Sequence, residues 1–156
     1  MKSCEGLKAL VQQRTWDKDL VLWMGSEHIL HTALSQARVE TLDLLDLFNP
    51  DHLPMDDEET RDQLLLALRH KLQSFQVGPA RRTVLMVKSI GLLARYDAGV
   101  KEFYEWFCSD FGMVVLLLDG LIEDFKLPED IVCESDRLVK YFTESDRVKE
   151  VYGEKG

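Results

Sequence analysis

The sequence predicts an all-α chain, a right-handed α-solenoid of about three stacked helical repeats forming one domain over residues 1–156. Three observations lead there. Apolar residues recur at three-and-four spacing through Arg81 to Asp124, a later stretch can be laid over part of that block, and only 4 prolines and 9 glycines interrupt the chain. A period in the forties built from helices is the mark of a stacked repeat, in which each unit buries its apolar face on its neighbours.

In chain order, the first expected helix runs from Cys4 to Gln13 and the second from Asp17 to about Met24. Gly25 and Ser26 break the pattern before a helix from His28 to Leu34, which runs on or kinks into Val39 to Phe48. Asn49-Pro50 ends that region, because the residue before proline is pushed out of the helical conformation and proline lacks an amide donor. Residues 49–59, NPDHLPMDDEE, form an acidic surface loop. Asp56, three residues before Glu59, caps the next helix, whose acidic first turn suits its positive end. Leu64, Leu68, Leu72 and Phe75 make its buried stripe, and Gly78-Pro79 closes it.

The central block then reads as helix, turn, short helix, turn, helix. Val84, Val87 and Ile90, with Leu93 and Ala94, share one face of a 3.6-residue helix. Asp97, Ala98 and Gly99 stop it, glycine being the residue that enters the left-handed conformation with which many helices end. Val100, Phe103, Tyr104 and Phe107 give the short helix its apolar side. Ser109 and Asp110 cap a third helix carrying Val114, Val115, Leu117, Leu118, Leu121 and Ile122. Further on, Leu127-Pro128 opens a helix to about Phe142, with proline in the first turn, and Asp146 to Tyr152 forms the last helix.

Ser89 to Tyr104 overlays Ser135 to Tyr152 at an offset of 46 residues at the start and 48 at the end, where VKEFY at 100–104 meets VKEVY at 148–152. A fainter copy covers Lys2 to Leu34. This order of long helix, short charged helix and strongly apolar helix resembles armadillo and HEAT-type repeats over Lys2 to Leu34 and Arg81 to Gly156. Trp16 to Leu34 and Asp97 to Leu118 also resemble the armadillo-type regulatory region of formins. The resemblance implies a solenoid that binds proteins. Leu92 and Leu138 stand where peptide-binding armadillo repeats carry Asn, so it does not imply capture of an extended peptide by an Asn ladder.

Composition fits a chain able to bury roughly two thirds of its unfolded surface. A net charge of −9 disfavours nonspecific nucleic-acid or anionic-membrane binding. Met1-Lys2-Ser3-Cys4 leads into charged residues without the apolar core of a signal peptide, and Phe111 to Leu118 falls short of the roughly 20 residues of a membrane span. With Cys4, Cys108 and Cys133 read as free thiols, an intracellular place in cytoplasm or nucleus is expected.

His28 and His31 face one helix turn, yet zinc takes three or four protein ligands and no CxxC or HExxH accompanies them. The loop with Asp51, Asp56, Asp57, Glu58 and Glu59 lacks the spacing and central glycine of an EF-hand. No GxSxG, Walker loop or dinucleotide fingerprint occurs. The expectation is therefore a protein that is not an enzyme and needs no cofactor or metal.

Positive charge gathers at Arg69, His70, Lys71, Arg81, Arg82 and Lys88, with Arg81, Arg82 and Lys88 expected along one side of the long helix. Arginine forks onto carboxylates and phosphates, and Trp106, between Phe103 and Phe107, is the aromatic anchor beside them. Arg81, Arg82, Lys88, Trp106, Arg69 and Lys71 are the expected binding residues. The expected function is a noncatalytic protein-interaction scaffold or adaptor that takes a partner helix or an acidic or phosphorylated segment. The formin resemblance implies an alternative, a regulatory module for a small GTPase or an autoinhibitory helix. The repeat pattern stops at Gly156 before another apolar helix, which suggests a fragment of a longer protein or a homo-oligomer joined through this last repeat.

Overall fold

The most apolar segments of the chain are strands. The computed structural model describes residues 2–13, 19–47, 56–75, 83–106, 112–118, 135–144, 148 and 150–154. Its elements are β1 (Lys2–Ser3), α1 (Cys4–Gln12), β2 (Asp19–Met24), α2 (Glu27–Ala33) and β3 (Arg38–Asp43) with a 3-10 turn (Leu44–Leu47). They continue with α3 (Asp57–Ser74), β4 (Thr83–Lys88), α4 (Gly91–Arg95), α5 (Lys101–Trp106), β5 (Gly112–Leu118), α6 (Ser135–Thr143) and β6 (Glu150–Gly153).

The six strands form one sheet in the order β1-β6-β2-β5-β4-β3, and every pairing is parallel. The register aligns Leu22 with Leu116 and Val87 with Leu116, so the centre of the sheet is one apolar row. The connections β1 to β2 and β2 to β3 run towards one edge, while β3 to β4, β4 to β5 and β5 to β6 run back. Parallel crossovers are right-handed, so this reversal puts helices on both faces. Leu7 and Val11 of α1 and Leu30 and Ala33 of α2 pack with Val21, Trp23, Val84, Met86 and Val115 on one face. Leu64, Leu68 and Leu72 of α3, Leu92, Phe103, Leu138 and Phe142 pack with Leu20, Leu22, Leu85, Val87, Val114 and Leu116 on the other.

The all-α solenoid expectation is therefore overturned, and with it the armadillo, HEAT and formin resemblance. Val84 to Val87 belong to β4, Val114 to Leu118 to β5, Leu20 to Met24 to β2 and Val39 to Asp43 to β3. The cause is physical. A strand of a parallel sheet covered on both faces is apolar at every position, and such a run fits a buried helix equally well by periodicity. Arbitration belonged to length and to β-branching: the runs of β2, β4 and β5 are short, and β4 and β5 carry the pairs Val84, Val87 and Val114, Val115. At the sheet edge, β3 mixes Glu40 and Thr41 with Val39 and Leu42.

The internal repeat fails for the same reason. Lys101 to Tyr104 lie in α5, against α3, whereas Glu150 to Tyr152 form β6 between β1 and β2. Similar letters adopted different structures because one copy has strands on both sides to pair with. The expected last helix over Asp146 to Tyr152 is likewise a strand from Glu150.

Where a polar cap marked a helix start in the sequence, at Asp56, the helix forms, and Ser3 and Ser26 add two caps that the structure reveals. Asp56 Oδ1 accepts the Glu59 N–H at 2.7 Å and starts α3, whose Thr60, Leu64, Leu68 and Leu72 are buried. Ser3 and Ser26 cap α1 and α2 by accepting from the Gly6 and Ile29 amides. Residues 49–55 of the acidic loop lie outside the described residues. No helix among those described is long and apolar enough to cross a membrane.

Candidate functional site

In an open parallel sheet, ligands bind beyond the carboxyl ends of the strands, at the point where the connections reverse direction. Here that point lies between β2 and β5. The chain leaves β2 towards one edge and reaches β5 on its way back. Met24 pairs with Leu118 and with Gly153, and the Gly25 N–H donates to the Leu118 carbonyl at 3.2 Å, which extends the ladder past the strand end.

Gly25 and Ser26 are the whole turn from β2 into α2. Gly25 has φ +151°, and a Cβ there would lie 2.6 Å from Glu154 Cγ. The Glu154 side chain thus crosses directly over the glycine, and its Oε1 accepts the Ser26 N–H at 2.5 Å. Trp23, fully buried, donates its indole N–H to the Ser26 carbonyl at 3.1 Å and fixes the turn from below.

The remaining strand ends bring more polar groups to the same edge. Lys88, at the end of β4, lies 3.2 Å from Glu27 of α2. Ser89 follows with φ 62°, a left-handed conformation that costs a non-glycine residue about 1–3 kcal/mol. Its buried hydroxyl donates to Asp43 Oδ1 at 2.6 Å, and the same oxygen accepts the Leu45 N–H at 3.1 Å. Three carboxylates described at this edge therefore each face a donor supplied by the chain: Ser26 for Glu154, Lys88 for Glu27, Ser89 for Asp43.

Of the residues expected from sequence, those with described side chains, Arg69, Lys71 and Lys88, lie on two elements, α3 and β4. Arg81 and Arg82 lie outside the described residues, as does the side chain of Trp106 at the end of α5, and so do Cys108 and Cys133. Lys88 sits on a strand, not on a long helix with Arg81 and Arg82. Arg69 and Lys71 lie on α3, the first forked onto Glu102 of α5 and the second exposed, with its ammonium 5.4 Å from the Phe75 ring centre. Hydrogen bonding and charge from Glu102 raise the Arg69 pKa further above its ordinary value. His28 and His31 are exposed on α2, and His31 Nε2 lies 3.5 Å from Glu27 Oε1.

Gly25, Ser26, Asp43, Ser89 and Glu154 were missed as a group. A signal existed for two of the strand ends: Gly25 and Lys88-Ser89 each end an apolar run, whereas Asp43 closes the mixed segment RVETLD. Reading those runs as parallel strands collects their polar ends at one edge of the sheet.

A second concavity, about 310 Å³, lies on the α1 side, where Leu10, Val21 and Tyr152 give its apolar wall. Lys2 and Glu150, also part of its lining, pair with each other at 3.0 Å, so their charges are already matched. Compared with protein-family models, with curated proteins and with solved structures, the chain matches none.

Proposed function

We propose that this chain is a noncatalytic protein-interaction module, built on a doubly wound sheet whose ligand crevice is closed by the chain itself. One observation carries the reading: the Glu154 carboxylate lies over the Gly25–Ser26 turn and takes the Ser26 N–H. That turn is where a phosphate group would meet backbone amides in a nucleotide-binding sheet. A two-residue turn has no glycine-rich loop to wrap a phosphate, and Lys88, the ammonium at the neighbouring strand end, is already paired with Glu27. A carboxylate in that place repels anions as well as blocking them.

With the crevice filled, the surface left for recognition is the helical layer, where α3 displays Arg69, His70 and Lys71 beside the acidic first turn of Asp57, Glu58 and Glu59. The sheet supplies a rigid base, and the exposed helix supplies charge and shape for a partner helix. The regulatory alternative rested on the formin resemblance, which the parallel sheet removes.

Thermal unfolding with and without millimolar Mg-ATP, Mg-GTP or NAD tests the reading. The expected result is an unchanged Tm. A ligand at 100 times its Kd adds about 2.7 kcal/mol, or roughly 5 to 10 °C for a domain of this size, and a rise of that order would overturn the noncatalytic reading.

A further inference from the structure

The outward face of α3 carries its charges in a self-complementary order. Thr60, Leu64, Leu68 and Leu72 fix the side that meets the core. The opposite stripe, at three-and-four spacing, runs Glu59, Asp62, Leu66, Arg69 and His70, all exposed. Leu66 is 56% exposed, above Leu45 at 40% and Ile29 at 36%. It also stands near the middle of the helix, with acidic groups on the N-terminal side and basic groups on the C-terminal side.

We propose that α3 is the interface of a two-fold homodimer, in which the α3 helices of two copies pack antiparallel about Leu66. A two-fold axis at Leu66 sets it against its own counterpart. The same axis sets Asp62 of each copy opposite His70 of the other, with Arg69 alongside. Isologous contacts are made this way, each residue pair occurring twice.

The order of charges selects this occupant. A purely acidic partner is repelled by Glu58, Glu59 and Asp62, and a purely basic one by Arg69 and Lys71; Asp57 is already forked by Arg95. A second copy, reversed, satisfies both halves. The bond from Arg69 to Glu102 leaves room for this role: it uses Nε and one terminal nitrogen, and the side chain stays 47% exposed. A single helix pair falls at the small end of interfaces, below about 1,200 Å² in total, so the dimer is a reversible one with Kd on the order of 100 µM.

Sedimentation equilibrium on the full chain, from about 5 µM to about 1 mM around that Kd, tests the proposal, with circular dichroism confirming that each variant is folded. Wild type is expected to shift from monomer to dimer. Leu66→Glu is expected to stay monomeric throughout. Asp62→Lys and His70→Glu are each expected to weaken association at least about tenfold, and the two together to return it to within about threefold of wild type. A wild-type monomer at every concentration, a dimer indifferent to Leu66→Glu, or a double variant without rescue would each overturn it. The inference rests on the interaction-module reading, and the two fail separately: nucleotide stabilisation removes the module, whereas a wild-type monomer removes only the α3 pairing.

Discussion

Arg69 of α3 holds Glu102 of α5 by two N–H bonds, Nε to Oε2 at 2.8 Å and Nη2 to Oε1 at 3.1 Å. The carboxylate is buried, with its residue only 6% exposed. Arg69 therefore joins two helices of the same layer as well as carrying charge to the surface. Arg69→Ala takes both of these bonds from a carboxylate that water reaches poorly, and its Tm falls by more than that of an exposed-site control such as Lys101→Ala. In a double-mutant cycle, Arg69→Ala with Glu102→Ala is expected to lose less than the sum of the two single changes, as read by urea unfolding.

At the strand-end turn, Gly25→Ala places a methyl group against Glu154 and retains a φ that suits only glycine. The expected loss is about 1–3 kcal/mol in denaturant unfolding. Glu154→Ala removes the collision but not the backbone strain, so Gly25→Ala costs less in that background while remaining unfavourable. Equal costs in both backgrounds would contradict the close approach.

Tyr141 of α6 donates its hydroxyl hydrogen to Asp97 Oδ1 at 3.0 Å and accepts the Gly99 N–H at 3.0 Å, tying α6 to the turn between α4 and α5. Burial, then the bond to Asp97, pushes its pKa up to about 12 from the ordinary 10.0. Because the folded value is the higher one, the phenol contributes stability that is fully present below pH 10 and is lost as pH rises towards 12. The loss, discounted for partial solvent screening, is on the order of 1 kcal/mol. Tyr141→Phe should flatten that part of the stability profile between pH 9 and 12, followed by urea midpoints.

Leu116 sits at the middle of β5, fully buried, between Leu22 and Val87 in the register. Leu116→Ala is expected to cost about 2–5 kcal/mol, since the parallel ladder on both sides prevents the backbone from closing on the cavity. Leu66→Ala, on the exposed side of α3, is expected to change the stability of the monomer by less than about 0.5 kcal/mol.

The helix with a polar signature at its start, α3, was legible in the sequence. Asp56 announces it through a side-chain oxygen placed for an amide three residues on, whereas the same role of Ser3 and Ser26 for α1 and α2 is seen only in the structure. The strands were not, because Val84 to Val87 and Met113 to Leu118 are buried on both faces and the alternation that distinguishes a strand has vanished. The candidate site was hidden for a different reason. Glu154 reaches Ser26 across 128 positions of sequence and Ser89 reaches Asp43 across 46. Only the strand order makes them neighbours, and no local pattern encodes that order. Arg69, by contrast, was recognised as a charged residue of α3, while its partner Glu102 went unnoticed.

The placement of β6 between β1 and β2 bears on how the protein comes into being at the ribosome. β1 has no strand to pair with until β6 arrives, and Lys2 meets Glu150 only after 148 intervening steps of synthesis. The nascent chain therefore emerges with β2 bare along both sides until β5 is made and along one side until β6 is, its apolar residues open to misassociation while translation proceeds. Loop closure over so many residues slows folding, and a chain that must wait for β6 has much to gain from a holdase at the exit tunnel.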